Sequence, residues 1–314
     1  MSPNVPNNYK TIHHDHHHFG WDNSLEPYLR AEPDTALEVG IVDASGGQLM
    51  ERSSTSDVAT LDFARVNPVT GPVYVEGAEP GDALEIEILD FDESGWGWTA
   101  VIPGFGLLAD EFPDPFLHIS HYDRERVAFT PEIHLPTRPF PGTIGLAPAE
   151  TGHHSVVPPR PVGGNMDIRD LTRGTKLYLP VAVPGALFSV GDTDAAQGDG
   201  EVCGTAIETP MTLRVKIGLE KNAGITRPQF DTVGETRPQS ESKGYYATTG
   251  IGPDLMEASK DAIRDMIEHL GREYGLEPHL AYALCSVAVD LKISEIVDAP
   301  NWVVSAYLPK AIFQ

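Results

Sequence analysis

The chain has 314 residues, 40% of them hydrophobic and 22% charged, a length that suggests about two domains and buries a core without disulfide or metal staples. Its 22 Lys and Arg against 46 Asp and Glu leave a net charge of −24, which repels phosphate backbones and anionic lipid and argues against nucleic-acid and membrane partners. The two cysteines, Cys203 and Cys285, form no CxxC pair, and no apolar run approaches the ~18 residues of a membrane span, so the expectation is a globular protein of the reducing cytoplasm.

Residues 1–18 read as a flexible N-terminus. His13, His14, His16, His17 and His18 crowd there into a metal-scavenging or tag-like stretch, and order is expected to start at Phe19. Residues 19–221 read as a mainly β region. Ala83 to Leu89 alternates cleanly, with Leu84, Ile86 and Ile88 on one face, and Thr212 to Leu219 repeats the pattern with Leu213, Val215, Ile217 and Leu219. Glu79-Pro-Gly-Asp82 supplies a turn before the first of these strands. The 27 prolines and 30 glycines fall largely between short runs, which favours a sandwich or barrel over alternating βαβ units. Residues 222–246 are polar and aperiodic, a connecting loop or exchanged arm. Residues 247–314 read as an α/β segment. Leu255, Ala258, Ala262, Ile263, Met266, Ile267 and Leu270 keep helical spacing up to Gly271, a second helix spans Pro278 to Ala288, and Asn301 to Tyr307 forms a closing strand.

The most informative stretch runs from Phe188 to Glu201. It holds Asp192, Asp194, Asp199 and Glu201, and no Lys or Arg occurs between Lys176 and Arg214. Uncompensated carboxylates between apolar segments have raised pKa values. Either they splay into water, or they form a metal or acid–base site. Gly191, Gly198 and Gly200 permit the bends that would aim them at one point. Gln197 stands where an EF-hand loop needs glycine, and no HExxH helix is present. The loop Gly163-Gly-Asn-Met-Asp167 is a second candidate, with a Gly-Asn turn entering a strand as the plainer reading, and Asp43 to Gln48 is a weaker third. No GxSxG elbow or phosphate-cradling loop appears. Cys203 is read as a buried strand residue in preference to a nucleophile, and Cys285 as core.

Taken in order, Asn67 to Asp82, Pro103-Gly-Phe-Gly106, Gly163-Gly-Asn-Met-Asp167, Gly191-Asp-x-x-x-x-Gln-Gly-Asp-Gly-Glu201, Ala283 to Asp290 and Val297-Asp-x-Pro300 resemble the acetamidase/formamidase family. The likeness runs from about His18 to Val304. It implies hydrolysis of a short amide to a carboxylic acid and ammonia by a cytosolic homo-oligomer. It also implies a mainly β (α+β) fold, jelly-roll-like and β-barrel-like, with a C-terminal helical α/β segment, and a divalent metal, zinc first with calcium as an alternative. On that resemblance Asp43, Asp167, Asp192 and Asp194 are the expected metal ligands, and Glu201 or Asp199 the proton acceptor. Asn165, Gln197, Gly163 and Gly164 are the expected substrate contacts, and Trp21, Trp96, Trp98 and Phe105 candidate pocket aromatics. One departure matters: the family pattern Gly-Asp-x-His is here Gly191-Asp-Thr-Asp194. Aspartate adds negative charge and shifts preference toward hard cations. Alternative readings are a hydrolase of another C–N bond (carbamate, urea or larger amide) and a non-catalytic metal- or ligand-binding paralogue.

Overall fold

A computed structural model describes residues 8–232, 243–296 and 300–313. The chain is mainly β, 38% strand and 14% helix. The alternating segments identified in the sequence are direct neighbours. One six-stranded sheet runs Lys10–Ile12, Ala36–Ile41, Met211–Glu220, Ala83–Glu93, Lys176–Pro180, Gln229–Asp231. Its register sets Ile217 opposite Ile86, Leu219 opposite Leu84 and Leu213 opposite Val39. Because side chains alternate with period two, this register turns Leu84 and Ile86 to the same face as Ile217 and Leu219. Leu84, Ile86, Leu213, Val215 and Ile217 are accordingly fully buried.

A second sheet carries the acidic stretch. Its order is Gly163–Asn165, Phe140–Gly145, Phe188–Asp194, Val69–Val75, His17–His18, with Leu29–Ala31 also paired to Val69–Val75. A four-stranded sheet joins His134–Pro136, Arg126–Ala128, Phe116–Tyr122 and Trp96–Val101. The last sheet, Tyr245–Gly252, Trp302–Pro309 and Asp290–Glu295, lies with the helices Leu255–Tyr274 and Pro278–Ala288. No strand order closes on itself among the described residues, so the barrel-like part of the expectation is corrected to open sheets.

Three further differences have local causes. The histidine-rich stretch is not loose: Lys10–Ile12 pairs in parallel with Ala36–Ile41, His17–His18 pairs with Val69–Val75, and His18 Nε2 lies 2.9 Å from Ser189 Oγ. The long helix passes Gly271 and ends at Gly275, whose φ of 68° is the left-handed cap that glycine adopts freely. Within 222–246, Gln229–Asp231 is an edge strand and Tyr245 already begins another, while 233–242 lie outside the described residues, as do 297–299 of the Val297–Pro300 motif.

One core cluster runs through both six-stranded sheets and the helices, including Ile144, Phe188, Leu213, Ala262, Met266 and Tyr282. Tyr282 stacks on Phe112 at 4.6 Å, accepts from the Leu108 N–H at 2.8 Å, and donates to the Val202 carbonyl. The C-terminal helix is thereby fastened beside the acidic loop. No helix among the described residues is long and apolar enough to cross a membrane.

Candidate active site

Three strands of the second sheet lay the foundation. Phe140–Gly145 lies between the other two, setting Thr143 opposite both Asn165 and Gly191, and Phe140 opposite Asp194. Gly142 faces the point where the acids gather. A Cβ there would fall 2.6 Å from Asp167 Oδ1, 2.9 Å from Asp192 Oδ2 and 3.0 Å from Asp194 Oδ2. Only a glycine leaves room for the three oxygens to converge. Asp167, Asp192 and Glu201 all adopt positive φ, at 49°, 56° and 44°. Such left-handed residues are sparse outside glycine and cluster where surrounding structure enforces an unusual orientation.

Asp192, Asp194 and Glu208 are buried to 5%, 1% and 3% exposure, and each brings one carboxylate oxygen within 4.8 Å of the others. Asp192 Oδ1, Asp194 Oδ1 and Glu208 Oε2 have no hydrogen-bond partner, an expensive condition for buried polar atoms. Glu208 is held by the Ala206 N–H, which donates to Oε1 at 2.8 Å. Burial pushes the pKa of Asp194 well up, and the neighbouring charges of Glu208, Asp192, Glu201 and Asp167 push it further. Asp192 and Glu208 are raised by the same desolvation, and the charge of Asp192 raises Glu208 further. Burial raises both Asp167 and Glu201; the charge of Asp192 raises Asp167 further while Glu201 beside it opposes the rise, and the charges of Asp167, Glu208 and Asp192 raise Glu201 further.

Above this floor opens a cavity of about 200 Å³, reached by Asp192, Glu201 and Glu208 from below and by Asn67 and Asn165 from the side. Asn165 Oδ1 accepts from Thr143 Oγ1 at 2.5 Å and from Asn67 Nδ2 at 3.1 Å, and Thr143 Oγ1 also donates to Asp192 Oδ2 at 3.1 Å. These contacts fix the polar wall.

The residues singled out in the sequence divide into groups. Asp167, Asp192, Asp194 and Glu201 meet at the floor, and Asn165 lines the cavity. Asp43 stands beside them, but its Oδ1 is engaged by the Ser45 N–H at 2.9 Å and Trp98 Nε1 at 3.0 Å, and burial raises its pKa. Gln197 turns away to donate to the Asp167 carbonyl at 2.8 Å. Gly163 and Gly164 shape the backbone: a Cβ on Gly163 would lie 2.5 Å from the Ile144 carbonyl oxygen. Asp199 faces another way, 3.0 Å from Arg169 Nε, whose guanidinium also grips Asp290 at 2.6 Å. Burial raises the Asp199 pKa and Arg169 opposes it. Trp98 and Phe105 line the cavity, whereas Trp21 packs with Val69 and Val156 and Trp96 borders a separate cleft beside His121. Cys203 is buried against the Ala100 carbonyl, and burial raises its thiol pKa, opposite to what a nucleophile needs.

Glu208 is the participant that sequence reasoning missed. Its signal was present: it lies inside the same cation-free stretch between Lys176 and Arg214 that drew attention to the other acids. Thr143 had no comparable signal beyond its place in a strand, and Asn67 entered only as the first residue of the Asn67–Asp82 motif.

Similarity to known proteins agrees with this architecture. The Acetamidase/Formamidase family model matches residues 5–156 and 149–314. The chain belongs to the acetamidase/formamidase family. A formamidase of Methylophilus methylotrophus is 31% identical, over 95% of this chain and 89% of its own length. An acetamidase of Mycolicibacterium smegmatis is 26% identical, over 85% and 84%. Among solved structures, a gamma lactamase from Delftia acidovorans superposes with a TM-score of 0.88 at 28% identity, over 95% of this chain and 90% of that one. The acetamidase from Bacillus halodurans gives 0.68 at 31%, over 95% and 97%. These formamidase and acetamidase relatives are amidohydrolases acting on short linear amides.

Proposed function

We propose that this chain hydrolyses neutral carboxamides of the formamide and acetamide type to carboxylate and ammonia, with Glu201 as the proton-transfer residue. The observation that carries the reading is the meeting of Asp192, Asp194, Glu208, Asp167 and Glu201 at the floor of a cavity whose other walls are largely apolar, in a chain of this family. Glu201 reaches the cavity, and its raised pKa brings a carboxyl toward the range in which it can both take and return a proton near neutrality. It would accept a proton from the attacking water and pass one to the departing amine. Asp167, hydrogen-bonded to Glu201, orients that carboxyl. Asn165, fixed by Thr143 and Asn67, would hold the substrate amide at the wall.

The donor set fits a divalent cation. Three buried oxygens lack partners, and the glycine at 142 keeps open the space on which three carboxylate oxygens converge. Asp192, Asp194 and Glu208 would hold the ion, with Asp167 beside them. Bound there, it would polarise a carbonyl and lower the pKa of a water. Every donor is a carboxylate oxygen, which favours a hard ion such as calcium, magnesium or manganese over zinc, the first expectation. Asp43 serves Ser45 and Trp98 in this reading and is not a ligand.

The proposed setting is a cytoplasmic homo-oligomer, consistent with two buried free cysteines and with Ile251, Ile293 and Ile296 exposed at the C-terminal sheet. We further place the two six-stranded sheets, which share one core, as a jelly-roll-like sandwich. The test is ammonia release from formamide and acetamide by chelated protein and by protein reloaded with calcium, manganese or zinc. Cation-restored turnover that Glu201→Gln reduces by about 10²-fold or more supports the reading. Equal rates for Glu201→Gln and the parent refute it. Cyclic amides belong in the same assay, because the Delftia acidovorans protein that superposes with a TM-score of 0.88 is a gamma lactamase.

A further inference from the structure

We infer that the cavity selects amides whose acyl group is apolar, uncharged and several carbons long, in preference to formamide and acetamide; this rests on the function proposed above. At a liquid volume of ~30 Å³ per water, the cavity of about 200 Å³ would hold roughly six waters, more than a four-heavy-atom amide such as acetamide displaces. Its lining also includes Leu61, Phe63, Val66, Ile102, Phe105 and Val157, and among the described residues no Lys, Arg or His lines it. A carboxylate-bearing acyl chain would meet the acids with no counter-charge. Phe63, Phe105 and Val157 are 60%, 44% and 39% exposed, from three separate chain segments, and they meet at one mouth. Large apolar side chains brought together in water mark a ligand groove.

This wall is built, not incidental. Phe105 stands between Gly104 and Gly106, both at positive φ, and its ring lies on Gly204, where a Cβ would come within 2.4 Å of Phe105 Cδ1. Phe63 sits in a short turn after Asp62, and Gln48 clamps that turn from both sides. The Asp62 N–H donates to Gln48 Oε1 at 2.8 Å, while Gln48 Nε2 donates to the Asp62 carbonyl at 3.2 Å and the Ser45 carbonyl at 2.7 Å. Gln48 is thus a positioning residue for the apolar wall.

The experiment compares kcat/KM for acetamide, butanamide and hexanamide, with succinamate as an anionic control, on the full chain reloaded with calcium or manganese. Burial of each methylene predicts a rise of roughly fourfold, so hexanamide should exceed acetamide by roughly 10²-fold, and succinamate should fall below butanamide. Phe105→Ala should flatten the series. Binding of the same amides to Glu201→Gln, followed by calorimetry, separates the two readings. Tighter binding with chain length but no turnover by the parent leaves this inference standing and removes the hydrolase reading. Turnover or binding that is flat or declines from acetamide to hexanamide overturns the inference and leaves the hydrolase reading intact.

Discussion

The buried carboxyls make a definite demand on stability. Asp192, Asp194, Glu208, Asp167 and Glu201 all have folded-state pKa values raised by burial and mutual repulsion. In the unfolded chain they titrate near the ordinary ~4. Above that pH the folded, cation-free protein holds more protons than the unfolded one, so its stability is fully present below about pH 4 and is lost as pH rises toward the folded values. Each group that is protonated when folded and ionised when unfolded contributes about 1.4 kcal/mol of loss per pH unit. Asp194→Asn removes one such group with little change in shape. The variant's slope of stability against pH should therefore be shallower by up to about 1.4 kcal/mol per unit, or roughly 2–4 °C of Tm per unit. Urea unfolding in chelator at half-unit steps from pH 5 to 8 measures it. Calcium at about a hundredfold its Kd should restore about 2.7 kcal/mol to the parent and less to the variant. A parent whose cation-free stability is flat or rises over this range, or a variant with the parent's slope, refutes the electrostatic reasoning.

Other expectations rest on single contacts. Asp290→Asn weakens the two-pronged grip on Arg169, whose Nη1 also holds the Gln197 carbonyl at 3.1 Å, and Gln197 holds Asp167. Breaking a buried ion pair costs about 3–5 kcal/mol, and Asp199 as a remaining partner should keep the loss toward the lower end, read by urea unfolding together with a reduced kcat. Cys203→Ala should retain turnover within a few-fold of the parent, and native protein should resist thiol alkylation, since the thiol is buried and its pKa raised; rapid alkylation accompanied by inactivation counts against this. Cation binding at pH 7 in weak buffer should release protons from the carboxyl pairs, visible on a pH electrode. Fewer should leave Asp194→Asn.

The two long alternating strands were readable because period-two patterning needs one buried face, and their exact pairing turned out to exploit it. The acidic stretch was readable for a different reason: carboxylates without nearby cations are costly unless something is built around them. What sequence could not carry was direction. Asp199 and Glu201 are two positions apart in one glycine-rich turn, yet Asp199 faces Arg169 while Glu201, at positive φ, faces the cavity. The partner that decides between them, Arg169 with Asp290, comes from two distant segments. Gly271 misled for a related reason, since a helical stop depends on the backbone beyond it, and only Gly275 meets the left-handed cap. The strand pairing of His17 and His18 likewise depends on Val69 and Thr70, which no local composition announces.

Asp194, where the resemblance to the family leads to the expectation of histidine, bears on when Glu201 would act in the proposed reaction. A neutral imidazole at 194 would leave four acids in the cluster; aspartate makes five, and among the described residues no basic side chain lines the cavity to offset the fifth. In the proposed reaction Glu201 would accept a proton only when ionised, and each additional negative neighbour raises the pH at which it ionises. Positive charge held by Asp192, Asp194 and Glu208 acts in the opposite direction on the same carboxyl. On the proposed reading the cluster would bind either protons or a cation, and the two would compete for the same oxygens. The acidic limb of the pH–rate profile should consequently move to lower pH as cation concentration rises. In Asp194→His, with one acid fewer, the limb should already lie lower and respond less to added cation.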